Sequence, residues 1–579
     1  MVGQVTLDHF VVVRIHTGQF LSTFVGDRME QSYKKTPYIW ILIVLSYFFF
    51  IFGNNRVSLT NPDEVFYTQT AREMVAKSSW SVPYLFDGPN FEKPIFLYWA
   101  IRLGFIMFGE NAFAARFFPA AFALIGVVAA YYFALLGFRD KKKAFLCAWV
   151  LMTSGFYIGL ARTVFTDMIF SVWILLALLS FYWGYVNNER KNISIILFFA
   201  AAAFAVLTKG PLGILLTAMA VISFLGFRRE LKYAVSPYTL WGIGVFLAIA
   251  VPWYAAMIRD YGTIFTQEFF YNDHIRRLLE AEHGSHDTWY FYPYTMFVSM
   301  YPWTLFTAAA LFFLIKNKQI RGENPFYLFT ICWIVCVLGV FQVAHSKLTS
   351  YIFPLFPALA LLTGNYLSDV AGLQKTGNRT VFILTWITFL IFPIGLPVGL
   401  ILFPGYIHHP MPVYVAVALF VLLLWVLLLF ILRRELFRTA ILMGFVLFVL
   451  LFMAFFIKDD IEPHLSSNAA AEIVAKNADK DAVVMSSKMF ARGIRYYTDR
   501  KIAVVAGPGS TYFSPHPILM LDSDKKIKSL LESQKITYGV LKKSALEDVR
   551  RAAGKEFSIE ELGLIGDAHV VRVSKNQGG

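Results

Sequence analysis

Acidic and basic side chains cluster in one polar stretch, residues 61–99, near the start of an otherwise apolar chain. Asp63 and Glu64 are adjacent there, and Glu92 and Lys93 follow just before a second apolar run. Carboxylates can take a proton from a hydroxyl, and a neighbouring cation can bind an anionic group. The spacing therefore indicates acid and base chemistry at one membrane face.

The segment between these two pairs has apolar residues near helical spacing, while Arg72, Glu73 and Lys77 lie elsewhere on the helical wheel. This pattern predicts an amphipathic helix that lies in the membrane interface and lines the mouth of a cavity. Asp63 could instead be the N-cap of that helix. Glu64 has the same two interpretations, but its side chain would point to a different face of the helix.

The composition predicts a polytopic membrane protein, because 57% of the 579 residues are hydrophobic and only 16% are charged. The net charge of +14 does not indicate nucleic acid, since most of the cations fall in short loops between apolar runs. There they set topology and meet lipid headgroups. Cys147, Cys332 and Cys336 lie inside apolar segments and imply no disulfide framework.

Apolar runs of about 17 to 25 residues, the length that a bilayer core requires, predict thirteen membrane spans. The pair of spans around residues 208–211 has the alternative of a single kinked helix. The predicted spans lie near residues 38–53, 113–137, 144–161, 167–186, 194–208, 210–227, 237–257, 293–315, 325–342, 350–369, 380–404, 411–432 and 437–457.

Lysine and arginine are concentrated in alternate loops, whereas the short loops between them carry only Arg162, Lys209 and Lys347. By the positive-inside rule, the N-terminus is cytoplasmic, and loops 54–112 and 258–292 lie outside together with the C-terminal tail. Residues 1–36 are expected to be an uncleaved cytoplasmic arm. The alternative is that translation starts at Met29 and that residues 1–28 are not part of the native protein.

From residue 458 the composition becomes that of a globular protein, which predicts a small α/β domain over 458–579 outside the membrane. The transmembrane catalytic domain is then 37–457. We expect the C-terminal domain to shape acceptor access and to supply no catalytic group. The expected strands are Ala482–Met485, Ile502–Ala506, Ile518–Leu521, Tyr538–Leu541 and His569–Val573, and the expected helices are Lys488–Tyr497, Lys525–Ser533 and Ala545–Gly554.

The motifs of the membrane region resemble those of bacterial integral-membrane glycosyltransferases of the aminoarabinose (lipid A) transferase type. These belong to the GT-C superfamily and are distant relatives of protein O-mannosyltransferases. The matching residues are Asp63-Glu64, Tyr67, Ala71-Arg72-Glu73-Met74, Trp80, Pro83, Phe91-Glu92-Lys93-Pro94, Tyr98-Trp99, Gly109, Ala115-Arg116, Ala161-Arg162, Thr166-Asp167, Thr208-Lys209-Gly210-Pro211, His345-Ser346-Lys347, Tyr351 and Pro354.

The resemblance implies a mainly α fold, a GT-C bundle of about thirteen transmembrane helices with a small C-terminal α/β domain. It further implies an undecaprenyl-phosphate-linked sugar donor, such as 4-amino-4-deoxy-L-arabinose, and a periplasmic active site in the bacterial inner membrane. Lipid A or another glycolipid is the expected acceptor, and a protein hydroxyl is the alternative. A transporter or flippase is the rival class, but the charges gather at one face rather than at the midplane.

The catalytic residues expected within this resemblance are Asp63, Glu64 and Asp167. Asp63 would take the proton of an acceptor hydroxyl or orient an anionic acceptor, so that direct attack inverts the anomeric carbon. Asp167 is either a second cavity acid or an N-cap.

Fixed cations and a hydroxyl are expected to stabilise the leaving phosphate, and the residues chosen are Lys93, Arg277, Lys347 and Tyr351. For either lysine alone, the alternative is a side chain that snorkels from a helix end. Further residues expected to line the substrate cavity are Tyr67, Arg72, Glu92, Lys209 and His274.

No cofactor is assigned from the sequence, and a divalent metal ion is the one alternative. Glu92 and His274 are the pair that would share a divalent ion, and a solvated histidine is the alternative. Related sequences often have His-Glu-His where this chain has Asn272-Asp273-His274, so one imidazole ligand is missing. His283 and His286 are assigned only to substrate contact.

Overall fold

The computed structural model describes residues 38–280, 287–316, 324–372, 387, 410–433, 436–507 and 517–576. The described part is mainly helical, with a small mixed sheet near the C-terminus. The expected arm 1–36, the expected span 380–404 apart from residue 387, and His283 with His286 lie outside these residues.

The helices of the membrane region follow the predicted spans closely. In the described residues, five helices are long and apolar enough to cross a membrane, or up to eight if each bent pair counts as one span. The helices are Tyr38–Ser46, which continues as the π-helix Tyr47–Ile51, then Ala112–Phe138, Lys141–Met152, Gly155–Ala161, Thr166–Val186, Lys191–Lys209, Leu212–Arg228, Pro237–Phe265, Phe291–Ser299, Thr304–Lys316, Pro325–Val343, Phe356–Gly372, Met411–Arg433 and Leu436–Ala454.

Three of the predicted spans differ in detail from straight helices. The span at 144–161 is broken after Met152 with a bend of 64°, and the span at 293–315 is broken after Ser299 with a bend of 118°. The span at 350–369 begins as the 3-10 helix Thr349–Leu355. The alternative of one kinked helix at 208–211 is wrong, because two helices meet there at Gly210, which has a φ of +91°.

The first loop contains more structure than the sequence predicted. The helix Asp63–Ala76 is present, but its side chains are mostly buried, so it does not lie in the interface as an amphipathic surface helix. A short hairpin, β1 (Tyr84–Leu85) with β2 (Gly88–Pro89), and the apolar helix Phe96–Phe108 follow it. Phe66, Tyr67, Ala71 and Met74, four of the five apolar positions behind the amphipathic prediction, pack on protein rather than on lipid headgroups, and the fifth, Val75, is exposed.

The expected loop 258–292 is also largely helical. The helix Pro237–Phe265 continues as the π-helix Thr266–Arg276 and a last turn at Arg277–Leu279. Because an extra residue per turn rotates the following side chains, π-helical segments are frequent at functional sites. Here the segment carries Asp273 and His274.

The C-terminal part forms a six-stranded sheet in the order β5-β4-β3-β6-β8-β7. Strands β3 to β6 are parallel, whereas β8 is antiparallel to both β6 and β7. The strands are β3 (Val484–Ser487), β4 (Ile502–Val505), β5 (Leu519–Leu521), β6 (Ile536–Leu541), β7 (Phe557–Ile565) and β8 (Ala568–Lys575), and the helices are Lys458–Leu465, Asn468–Asn477, Ala491–Thr498, Asp524–Ser533 and Lys543–Ala553.

The C-terminal domain packs directly on the first loop. Asn61 Nδ2 donates to Ser467 Oγ at 2.6 Å, and the backbone NH of Asn61 donates to the carbonyl of Leu465 at 2.8 Å. Gly493 permits this approach, because a Cβ there would lie 2.3 Å from Asn61 Oδ1. The carboxyl ends of the parallel strands, where ligands commonly bind in α/β sheets, face the membrane helices across a cavity.

Candidate active site

A cavity of about 1060 Å³ lies between the membrane helices, the first loop and the C-terminal domain. Its apolar wall includes Leu212, Leu215, Leu278, Val340 and Phe341. Of the residues predicted for the site, those that line it are Asp63, Tyr67, Glu92, Lys93, Asp167, Lys209, His274, Arg277 and Tyr351.

Asp63 is the first residue of the helix Asp63–Ala76 and faces this cavity. The alternative of an N-cap is wrong, because Pro62 occupies that position and no side chain caps the helix. Burial raises the pKa of Asp63, and nearby Arg492 opposes that shift. A carboxylate whose charge is poorly solvated is a stronger base than a free one, so Asp63 suits the role of a proton acceptor.

Glu64 points away from the cavity into the protein. Its carboxylate receives Arg116 Nε at 2.7 Å and Arg116 Nη2 at 2.6 Å. It also accepts the backbone NH groups of Thr60 at 3.0 Å and Val164 at 2.9 Å. With no exposed surface, Glu64 holds the first loop on the helix Ala112–Phe138. The structure therefore separates Glu64 from Asp63, although the two are neighbours in sequence.

Lys93 and Arg277 meet at the carboxylate of Asp273, and Tyr351 joins them through Arg277. Asp273 Oδ2 lies 2.6 Å from Lys93 Nζ, and Asp273 Oδ1 lies 3.0 Å from Arg277 Nε. Arg277 Nη1 donates to Tyr351 Oη at 2.8 Å. Both cations are largely shielded from solvent, with side-chain exposures of 13% and 16%. Two converging cations and a hydroxyl suit a phosphate group.

Lys347 is placed differently from the other predicted cations. Its Nζ donates to Asp287 Oδ1 at 2.7 Å, and Asp287 Oδ2 lies 2.7 Å from His345 Nδ1. The neighbours Ser346 and Leu348 line the cavity, whereas the Lys347 ammonium points to Asp287. The structure thus does not join Lys347 to the group formed by Lys93 and Arg277.

Asp167 and Lys209 form a second buried pair on the cavity wall. Lys209 Nζ lies 2.5 Å from Asp167 Oδ1 and 4.7 Å from the ring centroid of Tyr351. The helix Thr166–Val186 has Phe165 at its N-cap, so Asp167 is a cavity acid rather than a cap. This pair brings a further cation next to the hydroxyl-bearing ring of Tyr351.

Arg72 does not reach the cavity. Its Nε lies 2.8 Å from Glu110 Oε1, and its Nη1 donates to the carbonyl of Tyr496 at 2.7 Å. Its guanidinium also covers the Tyr496 ring at 5.4 Å. Arg72 therefore belongs to the contact between the first loop and the C-terminal domain. The prediction that it lines the substrate cavity is wrong.

His274 packs against the turn that joins two membrane helices. Its Nδ1 lies 2.7 Å from the carbonyl oxygen of Phe269, and a Cβ on Gly210 would lie 2.5 Å from its Nε2. In the described residues, no group of three or more His, Cys, Asp or Glu side chains is arranged to hold a metal ion. An ion shared by Glu92 and His274 stays a prediction.

Asp273 and Arg492 are cavity residues that the sequence did not single out. For Asp273 a signal exists, because it stands four residues before Arg277, where side chains meet on a helix. Arg492 offers no local signal, since its partners lie about four hundred residues earlier in the chain. Tertiary docking alone brings it to the site.

The chain is similar in sequence to several known proteins. Residues 38–262 match a family model described as dolichyl-phosphate-mannose-protein mannosyltransferase. The chain is 28% identical to the undecaprenyl phosphate-alpha-4-amino-4-deoxy-L-arabinose arabinosyl transferase of Erwinia tasmaniensis, over 65% of this chain and 68% of that protein. It is 30% identical to the enzyme of the same name from Yersinia pestis, over 55% of this chain and 57% of that protein. The match thus spans little more than half of the Yersinia protein.

The fold is also similar to that of a solved structure. The crystal structure of ArnT from Cupriavidus metallidurans bound to undecaprenyl phosphate superposes with a TM-score of 0.76 at 19% identity. The match covers 93% of this chain and 98% of that chain, so it includes the membrane helices and the C-terminal domain. The expected fold is confirmed: the chain is a multi-pass membrane protein with a small C-terminal sheet domain, and it has the fold of that solved ArnT structure.

Proposed function

We propose that this protein transfers a sugar, 4-amino-4-deoxy-L-arabinose or a related one, from an undecaprenyl-phosphate donor to lipid A or another glycolipid. The observation that carries the proposal is the convergence of Lys93, Arg277 and Tyr351 beside Asp63 in one cavity. The names of the two curated relatives supply the donor class. The solved relative with undecaprenyl phosphate supports a lipid phosphate in this fold.

The cavity walls suit a lipid-linked phosphate. The apolar residues Leu215, Leu278 and Val340 offer a surface for a polyprenyl chain. Lys93 and Arg277 line the same cavity and could bind the phosphate at the end of that chain. Such a donor carries its charge just outside the hydrocarbon, so polar and apolar surfaces must meet at one place. Asp273 keeps both cations oriented, because each of its oxygens faces one of them.

The proposed reaction is a direct displacement at the anomeric carbon. The acceptor oxygen forms the new bond, the bond between the anomeric carbon and the phosphate oxygen breaks, and that electron pair leaves with undecaprenyl phosphate. Asp63 takes the proton of an acceptor hydroxyl, or orients an acceptor that is already an anion. Lys93, Arg277 and Tyr351 stabilise the charge that grows on the leaving phosphate. One displacement inverts the anomeric configuration.

Mass spectrometry of glycolipids tests the proposal directly. Lipid A and other glycolipids are compared in cells with the gene, without it, and with the gene carrying Asp63→Asn. A pentose-type mass increment that depends on the intact gene is expected. Glycolipids that are identical in all three strains would contradict the proposal.

Protein glycosylation is the second candidate, because the matching family model is that of a protein mannosyltransferase. The same three strains distinguish it, since a modified serine or threonine would then appear in tryptic peptides. A hexose on peptides with unchanged glycolipids would favour this alternative.

The proposed location is the bacterial inner membrane, with the cavity and the C-terminal domain on the periplasmic side. The distribution of Lys and Arg among the loops supports this orientation. We expect a reporter fused after Lys232 to be cytoplasmic and one fused after Lys458 to be periplasmic. Paired alkaline phosphatase and fluorescent protein fusions measure both sites, and the same side for both would refute the orientation.

Removal of one phosphate-binding cation is expected to weaken undecaprenyl phosphate binding by roughly 10- to 150-fold, the value of one charge-assisted hydrogen bond. Lys93→Ala and Arg277→Ala should both show the loss, and Lys93→Arg should recover part of it. Titration of the purified proteins with undecaprenyl phosphate measures the affinity.

Arg276→Ala is the matched control for Arg277→Ala. Arg276 is the adjacent arginine, but it pairs with Glu280 at 2.7 Å and its side chain is 38% exposed. The Arg276→Ala variant should bind undecaprenyl phosphate with the affinity of the wild type. Equal affinity for the wild type, Lys93→Ala and Arg277→Ala, with all proteins monodisperse, would remove these cations from the donor site.

A further inference from the structure

Arg492 belongs to the C-terminal domain, yet its side chain lines the catalytic cavity. Its guanidinium carbon lies 4.3 Å from the centroid of the Phe66 ring, and Nη2 lies 3.6 Å from Glu92 Oε1. Only 9% of the residue is exposed. The charge is therefore buried against the same loop that carries Asp63.

The helix Ala491–Thr498 is fixed on the first loop by contacts that follow Arg492. Gly493 packs on Asn61, and Arg495 Nη2 lies 3.1 Å from Asp87 Oδ2. The carbonyl of Tyr496 accepts Arg72 Nη1 at 2.7 Å. These contacts leave the Arg492 guanidinium at a defined place over Phe66.

The charges that face Asp63 come from three elements. Burial raises the pKa of Asp63, and Arg492 is the strongest influence that lowers it. Glu92 and Asp167 raise it further, while Lys93 lowers it less than Arg492 does. Tyr67, on the same helix as Asp63, is buried, and its own pKa is raised by burial and by Asp63. Lys93 is also shared with Asp273, which leaves Arg492 as the main counter-charge for Asp63.

We propose that Arg492 is a positioning residue of the transfer reaction, held by the C-terminal domain so that its guanidinium orients Glu92 and supplies a positive charge to the cavity that Asp63 lines. The inference rests on the proposed function, in which Asp63 acts as a base. The C-terminal domain then does more than shape acceptor access, because the charge balance of the cavity depends on it.

The pH dependence of kcat/KM tests this role. The rate should fall at low pH as Asp63 takes up a proton, and Arg492→Gln should move that midpoint upwards by about one pH unit. Below both midpoints the variant should be about tenfold slower than the wild type, and at higher pH it should regain most of its rate. Arg492→Lys should return the midpoint towards the wild-type value. Arg492→Met, which keeps the packing on Phe66, replaces Arg492→Gln if the latter is not monodisperse.

Arg495→Gln is the matched control, because Arg495 lies on the same helix and pairs with Glu73 and Asp87 outside the cavity. Its midpoint should equal that of the wild type. A rate loss in Arg492→Gln that is the same at every pH, or an equal midpoint shift in Arg495→Gln, would overturn the proposal in favour of a purely structural contact.

A second measurement does not require turnover. Carbodiimide reacts with protonated carboxyl groups, so mass spectrometry of the Asp63 peptide after labelling across a pH series gives the midpoint of Asp63 itself. Fragment ions separate Asp63 from Glu64. A higher midpoint in Arg492→Gln supports the proposal even if the wild type transfers no sugar and the proposed function fails, whereas an unchanged midpoint overturns it.

Discussion

Asp63→Asn is expected to lower the rate of sugar transfer by about 10² to 10⁴, the usual contribution of a general base. The two side chains have the same shape, and Asp63 makes no cap contact, so the folded protein should be retained. Transfer from an undecaprenyl-phosphate-linked sugar to a glycolipid, measured with purified protein in detergent, gives the rate. Size-exclusion chromatography and the melting temperature check the fold.

Asp260→Asn is the control for this substitution. Asp260 is a half-exposed aspartate that pairs with Arg259 on the surface. We expect wild-type turnover from it. If Asp63→Asn kept more than about a tenth of the wild-type rate, the assignment of Asp63 as the base would be wrong.

Arg116→Ala is expected to destabilise the protein by about 3 to 5 kcal/mol, because it leaves the Glu64 carboxylate buried without its counter-charge. Arg116 makes two hydrogen bonds to Glu64 and three more to the backbone carbonyls of Asn54, Val57 and Ser58. Burial on its own raises the pKa of Glu64, but Arg116 and Thr60 outweigh it and lower the pKa. Thermal unfolding in detergent should show the loss as a large fall in Tm.

Arg259→Ala provides the comparison for this pair. Arg259 is 77% exposed and pairs with Asp260 at 2.7 Å, and solvent screens such a surface pair, so its removal should leave the Tm nearly unchanged. If Arg116→Ala melted at the same temperature as Arg259→Ala, Glu64 would not be a structural anchor, and a catalytic role for it would have to be reconsidered.

Periodicity and charge patterning were sufficient to predict most membrane helices, because lipid requires long apolar segments with satisfied backbone groups. They were also sufficient for β4 and β6, which are short and largely buried, and for the buried middle part of β8. Strand β7 was missed because it is an edge strand with many exposed residues and no clean alternation. The helix Phe96–Phe108 was missed because it lies inside a loop that was assigned to one side of the membrane.

Asp63 and Glu64 show where prediction of the site ends. Successive residues on a helix are separated by about 100°, so one of the two acids faces the cavity and the other faces Arg116. The sequence places both at the same point of the chain and does not give the rotation of the helix. That rotation is decided by the packing of the whole first loop.

The contact between Asn61 and Ser467 joins positions that are 406 residues apart. A ribosome works from the N-terminus, so the loop with Asp63 is made long before the domain that covers it. A nascent chain that has inserted all its helices still lacks the outer wall of its cavity. On the proposed orientation, the cavity of a newly made chain therefore receives Arg492 and its outer wall only after the C-terminal domain has been exported.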